Sequence, residues 1–227
     1  MFKPYHIVSL ALLLPVAILS CPLVAQDGST KKDGSAKKDG SAKKSESEWV
    51  SLFDGKTMDG WEKVGKKDSH WEVKDGALCG SGRQSMLVCT KAPYKNFRYR
   101  VEVKINDGGN SGVYFRTTRK PTFRDGYEAQ VNCTHRDPIR TGSIYGICHV
   151  YAQHVQPDHW CTYEIEVRDD VWRERELTRI KITLDGKELY EHMDFNKAFP
   201  AGYFAFQQHD PGSFVSIRKV EVMALDD

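Results

Sequence analysis

Nowhere do these 227 residues string together the roughly 18 to 20 apolar side chains of a membrane-spanning helix. Neither sign of charge is in excess. The 33 Lys and Arg face 31 Asp and Glu, a net charge of +2, so charge alone points to neither nucleic acid nor an acidic membrane. No Cys-x-x-Cys occurs, which removes the strong zinc and thioredoxin-type signals. There is no phosphate-binding loop, dinucleotide fingerprint or Gly-x-Ser-x-Gly elbow, so neither a nicotinamide nor a flavin is expected. Sustained helical periodicity is also missing. What remains is a globular composition, with 40% hydrophobic and 11% aromatic residues, enough for one domain or two small ones.

The N-terminal 25 residues read as a secretory signal. A short region containing Lys3 precedes an apolar core over residues 7–20. Cleavage after Leu23-Val-Ala25 is favoured. The alternative, Ile18-Leu-Ser-Cys21, resembles a bacterial lipobox whose Cys21 would be acylated. Either way the protein is expected to be exported, periplasmic or extracellular. Residues 26–48 form a low-complexity linker in which Lys-Lys-Asp-Gly-Ser-Ala repeats at 31–36 and 37–42. It has no large apolar side chain to offset the cost of ordering, so it is expected to be a solvated spacer. Beyond it lie five cysteines: Cys79, Cys89, Cys133, Cys148 and Cys161. An exported protein can form disulfides, and the glycines between Cys79 and Cys89 make that pair the expected one. An odd number leaves at least one thiol over.

From residue 49 to 227 the pattern has a period of two. Phe97, Tyr99, Val101, Val103 and Ile105 alternate with Arg98, Arg100, Glu102 and Lys104. Cys161, Tyr163, Ile165 and Val167 alternate with polar neighbours, as do Ile180, Ile182 and Leu184. Such alternation predicts half-buried antiparallel strands. Asp-Gly pairs at 54, 59, 75, 107, 125 and 185 punctuate them, and the pair at 185 predicts a hairpin over 180–190. The fold class is therefore all-β, a two-sheet antiparallel β-sandwich of the jelly-roll kind, with other antiparallel barrels as alternatives.

Candidate chemistry is sought on strand faces turned away from the core. Tyr114 and Arg116 share one such face, Glu128, Gln130 and Asn132 a second, and Gln207 and His209 a third. A register slip would put Gln208 in place of that last pair. Together these faces supply a carboxylate, a guanidinium, a phenol, amides and an imidazole, a set suited to carbohydrate, with Glu128 or His209 as a general base. Other groupings are weaker. His149, His154 and His159 recur every five residues, a spacing that matches neither strand nor helix as a metal site. Glu164 and Glu166 share a strand face and could act as paired carboxylates. Residues 107–112 read as a turn, and Asn132-Cys-Thr134 is formally a glycosylation sequon.

Six segments in order resemble the 3-keto-disaccharide hydrolase domain family. They are Leu52-Phe-Asp-Gly-Lys-Thr-Met-Asp-Gly-Trp61, Trp71-Glu-Val-Lys-Asp-Gly-Ala-Leu78, Gly109-Asn-Ser-Gly-Val-Tyr-Phe-Arg116, Gly126-Tyr-Glu-Ala-Gln130, Thr141-Gly-Ser-Ile-Tyr-Gly146 and Gly202-Tyr-Phe-Ala-Phe-Gln-Gln-His209. The resemblance implies a concanavalin-like jelly roll, common in exported bacterial proteins, acting on glycosides whose sugar carries a ketone at C3. It maps the family's site segments onto Asn110, Arg116, Glu128, Gln130, Gln207 and His209. The chain departs from the family at Asn132, where an Asp is common, and at Trp160-Cys161, where Trp-Asn is common.

On this reading Glu128 is the first choice of base and His209 the second. Arg116 would stabilise the enediolate, and Tyr145 or Tyr114 would protonate the leaving oxygen. Asn110, Tyr114, Gln130, Asn132 and Gln207 would bind the sugar. No protein metal ligand is assigned, although a divalent ion chelating the ketone is compatible with the scheme. The rival from another class is a tethered, non-catalytic carbohydrate-binding module; a surface interaction domain is a third reading.

Overall fold

The structure is a computed structural model that describes residues 48–91 and 93–226. The expected signal segment with Cys21, and the linker up to residue 47, lie outside the described residues. Among those described, no helix is long and apolar enough to cross a membrane.

Thirteen strands form in chain order: β1 (Val50–Ser51), β2 (Trp61–Gly65), β3 (Ser69–Lys74), β4 (Ala77–Gly82), β5 (Ser85–Cys89), β6 (Phe97–Ile105), β7 (Ser111–Thr117), β8 (Tyr127–Val131), β9 (Cys161–Trp172), β10 (Arg175–Leu184), β11 (Lys187–Asp194), β12 (Tyr203–Gln208) and β13 (Val215–Ala224). They make two antiparallel sheets, as the alternation predicts. The larger runs β11-β10-β9-β6-β13-β4-β3, with β1 beside β13; the smaller runs β2-β5-β12-β7-β8.

The core lies between them. Phe97, Tyr99, Val101, Val103 and Ile105 of β6 are all buried, as are Tyr163, Ile165 and Val167 of β9. From the smaller sheet, Phe204 stacks on Tyr99 at 4.0 Å between ring centroids and meets Phe97 edge-on at 5.0 Å. Phe206 stacks on Trp61 at 5.2 Å. These rings bury large apolar areas in favourable geometries.

The solvent side of the larger sheet is an ionic ladder. Glu164 accepts from Arg98 and Arg100, each at 3.2 Å, and Arg100 reaches Glu221 at 3.2 Å. Such half-exposed pairs contribute little singly, and they account for Glu164 and Glu166 without catalysis. The hairpin expected over 180–190 is present. Asp185 (φ 50°) and Gly186 (φ 76°) both take positive φ, the requirement of a two-residue turn that follows strand twist.

The expected Cys79–Cys89 disulfide does not form; all five described cysteines are free. The glycines between them do not fold a hairpin. Both lie in β4, Gly82 at its end, and residues 83–84 then take the chain from that sheet to β5 in the other. The Cys79 thiol points outward, 3.7 Å from Ser216 Oγ, whereas Cys89 sits in the core.

Candidate functional site

The outer face of the smaller sheet is not bare. Residues 118–126 cross it between β7 and β8. Residues 132–160, between β8 and β9, fold against its β8 edge, with Gln130 N donating to Ser143 O at 3.0 Å and Tyr145 N to Glu128 O at 2.9 Å. Together they roof a pocket of about 680 Å³, a size suited to a small ligand. Glu128, Gln130, Gln207 and Asn110 line its floor; His135, Asp137, His209, Phe123, Arg124 and Tyr145 are among its walls.

Glu128 is the most buried charge-capable group of the lining, only 8% exposed. It stands opposite Tyr114 in the β7–β8 register. Gly112 makes room for it, since a Cβ there would run into its carboxyl oxygen. Burial pushes its pKa up to about 8, the nearby Tyr114 hydroxyl and Gln207 amide pulling it back and the charge of Asp137 adding to the rise. Gln130 Nε2 donates to Asn110 Oδ1 at 3.2 Å and Gln207 Nε2 to Tyr114 Oη at 3.0 Å. The other amide atoms, Gln130 Oε1 and Gln207 Oε1, are buried with no partner. Two acceptors held this way suit the hydroxyl donors of a polar ligand.

At one wall His209 Nδ1 lies 2.9 Å from Asp210 Oδ2, and His135 Nε2 lies 3.9 Å from the same oxygen. Burial draws the His135 pKa below its ordinary value, and the charge of His209 adds to this. Burial lifts the Asp210 carboxyl, but hydrogen bonds from His209, Ser213 and Gly212 outweigh it and hold it low. One ligand atom from each of His135, His209 and Asp210 falls within 4.8 Å of the others. Two imidazoles and a carboxylate form a set that can bind a divalent transition metal. Phe123 stacks on His209 at 5.9 Å and fixes its ring.

The structure brings Asn110, Glu128, Gln130, Tyr145, Gln207 and His209 to one pocket, and the β12 register is the one that puts Gln207 and His209 there. Three other expected residues are not on its lining. Arg116 takes φ 52° where the β7–β12 pairing slips, so the strict alternation that paired it with Tyr114 breaks there. Its guanidinium turns away to donate to Asp169 (2.9 Å), Thr178 (3.1 Å), Phe199 O (3.0 Å) and Lys95 O (2.6 Å). Tyr114 is buried beneath the floor, donating to Phe123 O at 3.2 Å. Asn132 is fully buried. It donates to Asp137 O (2.9 Å) and Ile139 O (2.8 Å) and accepts from His135 N (2.9 Å) and Arg140 Nη1 (3.1 Å). It therefore shapes the loop that presents His135, and its sequon is closed off. The periodic histidines do not converge: His149 lines the pocket, while His154 and His159 are exposed outside its lining. Sequence reasoning missed His135, Asp210, Phe123 and Arg124. For His135 the available signal was the length of the non-periodic segment 132–160, since long loops are commonly functional; Phe123, Arg124 and Asp210 lie in short connections that carry no such signal.

The family described as 3-keto-alpha-glucoside-1,2-lyase-like domain matches residues 48–223. The chain belongs to this family. The lyase-like domain is 33% identical over 79 residues to a 3-keto-disaccharide hydrolase of Bacteroides thetaiotaomicron. That match covers 30% of this chain and 27% of the relative, so it spans about a quarter of the relative's length. A crystal structure of a candidate glycosyl hydrolase from Parabacteroides distasonis superposes with TM-score 0.63 at 24% identity, covering 78% of this chain and 94% of the other. The carbohydrate binding module CBM66 of Bacillus subtilis superposes at 0.57 with 19% identity, covering 73% and 96%. These two likenesses place the lyase-like domain in the jelly-roll fold seen in carbohydrate-binding modules.

Proposed function

We propose that this domain cleaves 3-keto-glycosides by proton abstraction at C2, elimination and hydration. The observation that carries the reading is the Glu128 carboxyl, buried on the pocket floor with a pKa of about 8, in the range a general base needs near neutral pH. The C3 ketone acidifies the C2 proton. Glu128 takes it, the electron pair forms the C1–C2 double bond, and the C1–O bond breaks. The leaving oxygen gains a proton from the pocket mouth, where Tyr145 Oη lies 3.0 Å from Asp137 Oδ2. Water then adds, its hydroxyl to C1 and its proton to C2, giving the 3-keto sugar and the free alcohol.

With Arg116 turned away, the enediolate charge falls to the imidazoles of His135 and His209 as N–H donors; a divalent cation, where bound, would be held by His135, His209 and Asp210 and would supply further positive charge beside the ketone. Gln130 Oε1 and Gln207 Oε1 accept from sugar hydroxyls. The apolar segment at 7–20 supports export of the protein to where such glycosides are met. Glu128→Gln tests the assignment on a 3-keto-glucoside. The variant should lose at least about 100-fold in kcat/KM; undiminished turnover removes Glu128 as the base. Tight binding of unoxidised glycan with no turnover by the parent protein would instead favour a binding module.

A further inference from the structure

The outer face of the smaller sheet continues beyond this pocket. On the far side of the Phe123–His209 stack a groove of about 470 Å³ runs over β2 and β5, lined by Val64, Lys66, Met86, Lys120, Pro121 and Phe123 together with polar Gln84, Ser85 and Thr122. A further hollow, lined by Lys66, Gln84 and His209, joins it to the other flank of that stack. Phe123 is thus a wall of both pocket and groove, and His209 a wall of both pocket and hollow.

The groove has an apolar floor and a cationic rim. Met86 packs with Val88, Tyr114 and Ala205, and Val64 and Phe123 lie against that cluster. No carboxylate lines the groove. Of the acidic groups near it, Glu62 pairs with Arg119 at 2.6 Å and Asp68 with Arg83 at 3.7 Å, while Asp125 accepts from Thr122 N and Oγ1 at 2.7 and 2.8 Å. Lys66 and Lys120 are exposed and make no ion pair among the described residues.

We infer that this groove is the leaving-group subsite and takes a planar apolar aglycone bearing an anionic substituent, such as an aryl carboxylate. The inference rests on reading the pocket as the 3-keto-sugar site. An aglycone leaving C1 must lie beside that pocket, and the groove shares its wall. A thioether, a proline and a phenyl ring favour a flat apolar body. Two unpartnered ammonium groups favour an anion at its edge.

The test compares the 3-keto-glucosides of 4-hydroxybenzoate and 4-hydroxybenzamide, which differ in charge at nearly constant shape. It also measures binding of free 4-hydroxybenzoate to the Glu128→Gln protein by calorimetry. The carboxylate substrate should be preferred in kcat/KM by roughly five- to tenfold. Lys66→Ala/Lys120→Ala should bring that ratio close to one and, placed in the Glu128→Gln protein, weaken 4-hydroxybenzoate binding by a similar factor. Equal kcat/KM for the two substrates, or 4-hydroxybenzoate binding that is absent or indifferent to both lysines, overturns the subsite. If neither substrate turns over, the catalytic reading fails, and the binding arm alone decides the groove.

Discussion

A carboxyl group surrounded by protein keeps a proton that the same group in water would release, and Glu128 does so over an unusually wide range. Between its ordinary 4.5 and about 8 the folded chain holds this proton while the unfolded chain has lost it. The contribution is fully present below the lower value and is lost as pH rises through the upper one, so the folded state loses ground across that window. At roughly 1.4 kcal/mol for each unit of pKa, the loss is on the order of a few kcal/mol. The amide introduced by Glu128→Gln has no such proton to lose. Urea unfolding at pH 5 and pH 9 should therefore show the parent losing more stability than Glu128→Gln, with the variant the more stable of the two at pH 9. Parallel pH profiles would place the carboxyl in contact with water and remove the physical basis for its role as a base. A buried acid of this kind is hard to read from residues 127–131. Alternation put Glu128 on the outer face, where solvent exposure would be the ordinary expectation. Only the loops folded over that face bury it.

Strands were legible wherever both faces kept to their period, and two of the departures from it decide the roles of Arg116 and the loop residues. β7 reads as a regular strand up to Phe115. At Arg116 the chain turns left-handed and the pairing with β12 slips, a bulge-like irregularity that re-aims a side chain. The result is a cation with no exposed side-chain surface, tied to Asp169 and to two backbone carbonyls, pinning β7 to β9. Nothing in the local sequence marks this, because Arg is as plausible on a polar sheet face as in a buried pair. Removing one partner of such a pair strands the other, at a cost of about 3 to 5 kcal/mol. Arg116→Ala should lower stability by that order while leaving kcat/KM on a 3-keto-glucoside within a few-fold when assayed well below its Tm. Asp169→Asn, which keeps the shape, should reproduce the loss more mildly. A selective collapse of kcat in a variant that remains folded would return the guanidinium to the chemistry. Asn132 is the second departure. Its Nδ2 donates to two loop carbonyls, which a carboxylate could not do, so an amide at this position is explained by loop shape. His135 and Asp137 belong to that loop, where no periodicity exists to place a side chain.

At the scale of the molecule, neighbours in sequence are often on opposite sheets, and this is where local reasoning about the cysteines failed. A glycine-rich stretch between two thiols looks like a hairpin that would close them together. In a two-layer fold the same flexibility serves to cross from one layer to the other, and Gly82 with φ 81° stands at that crossing. The jelly roll itself was legible, since it follows from alternation and turn spacing summed over the whole chain, whereas a disulfide depends on which layer each strand joins. Two thiols on different sheets, one facing water and one facing the core, cannot bridge without tearing a strand away. Their reactivities should differ accordingly. Burial pushes the Cys89 and Cys133 thiols above their ordinary pKa and the Cys161 thiol further still, so the reactive thiolate is scarce as well as hidden. Brief alkylation of the native protein should label Cys79 and Cys148, the half-buried pair, and spare the other three until the chain is unfolded. Mass spectrometry after unfolding without reductant should then find Cys79, Cys89, Cys133, Cys148 and Cys161 all alkylated, and added reductant should leave Tm unchanged. A peptide carrying Cys79 joined to Cys89, or a Tm that falls on reduction, would show that oxidation draws β4 and β5 together and that the two layers are less firmly separated than their packed rings imply.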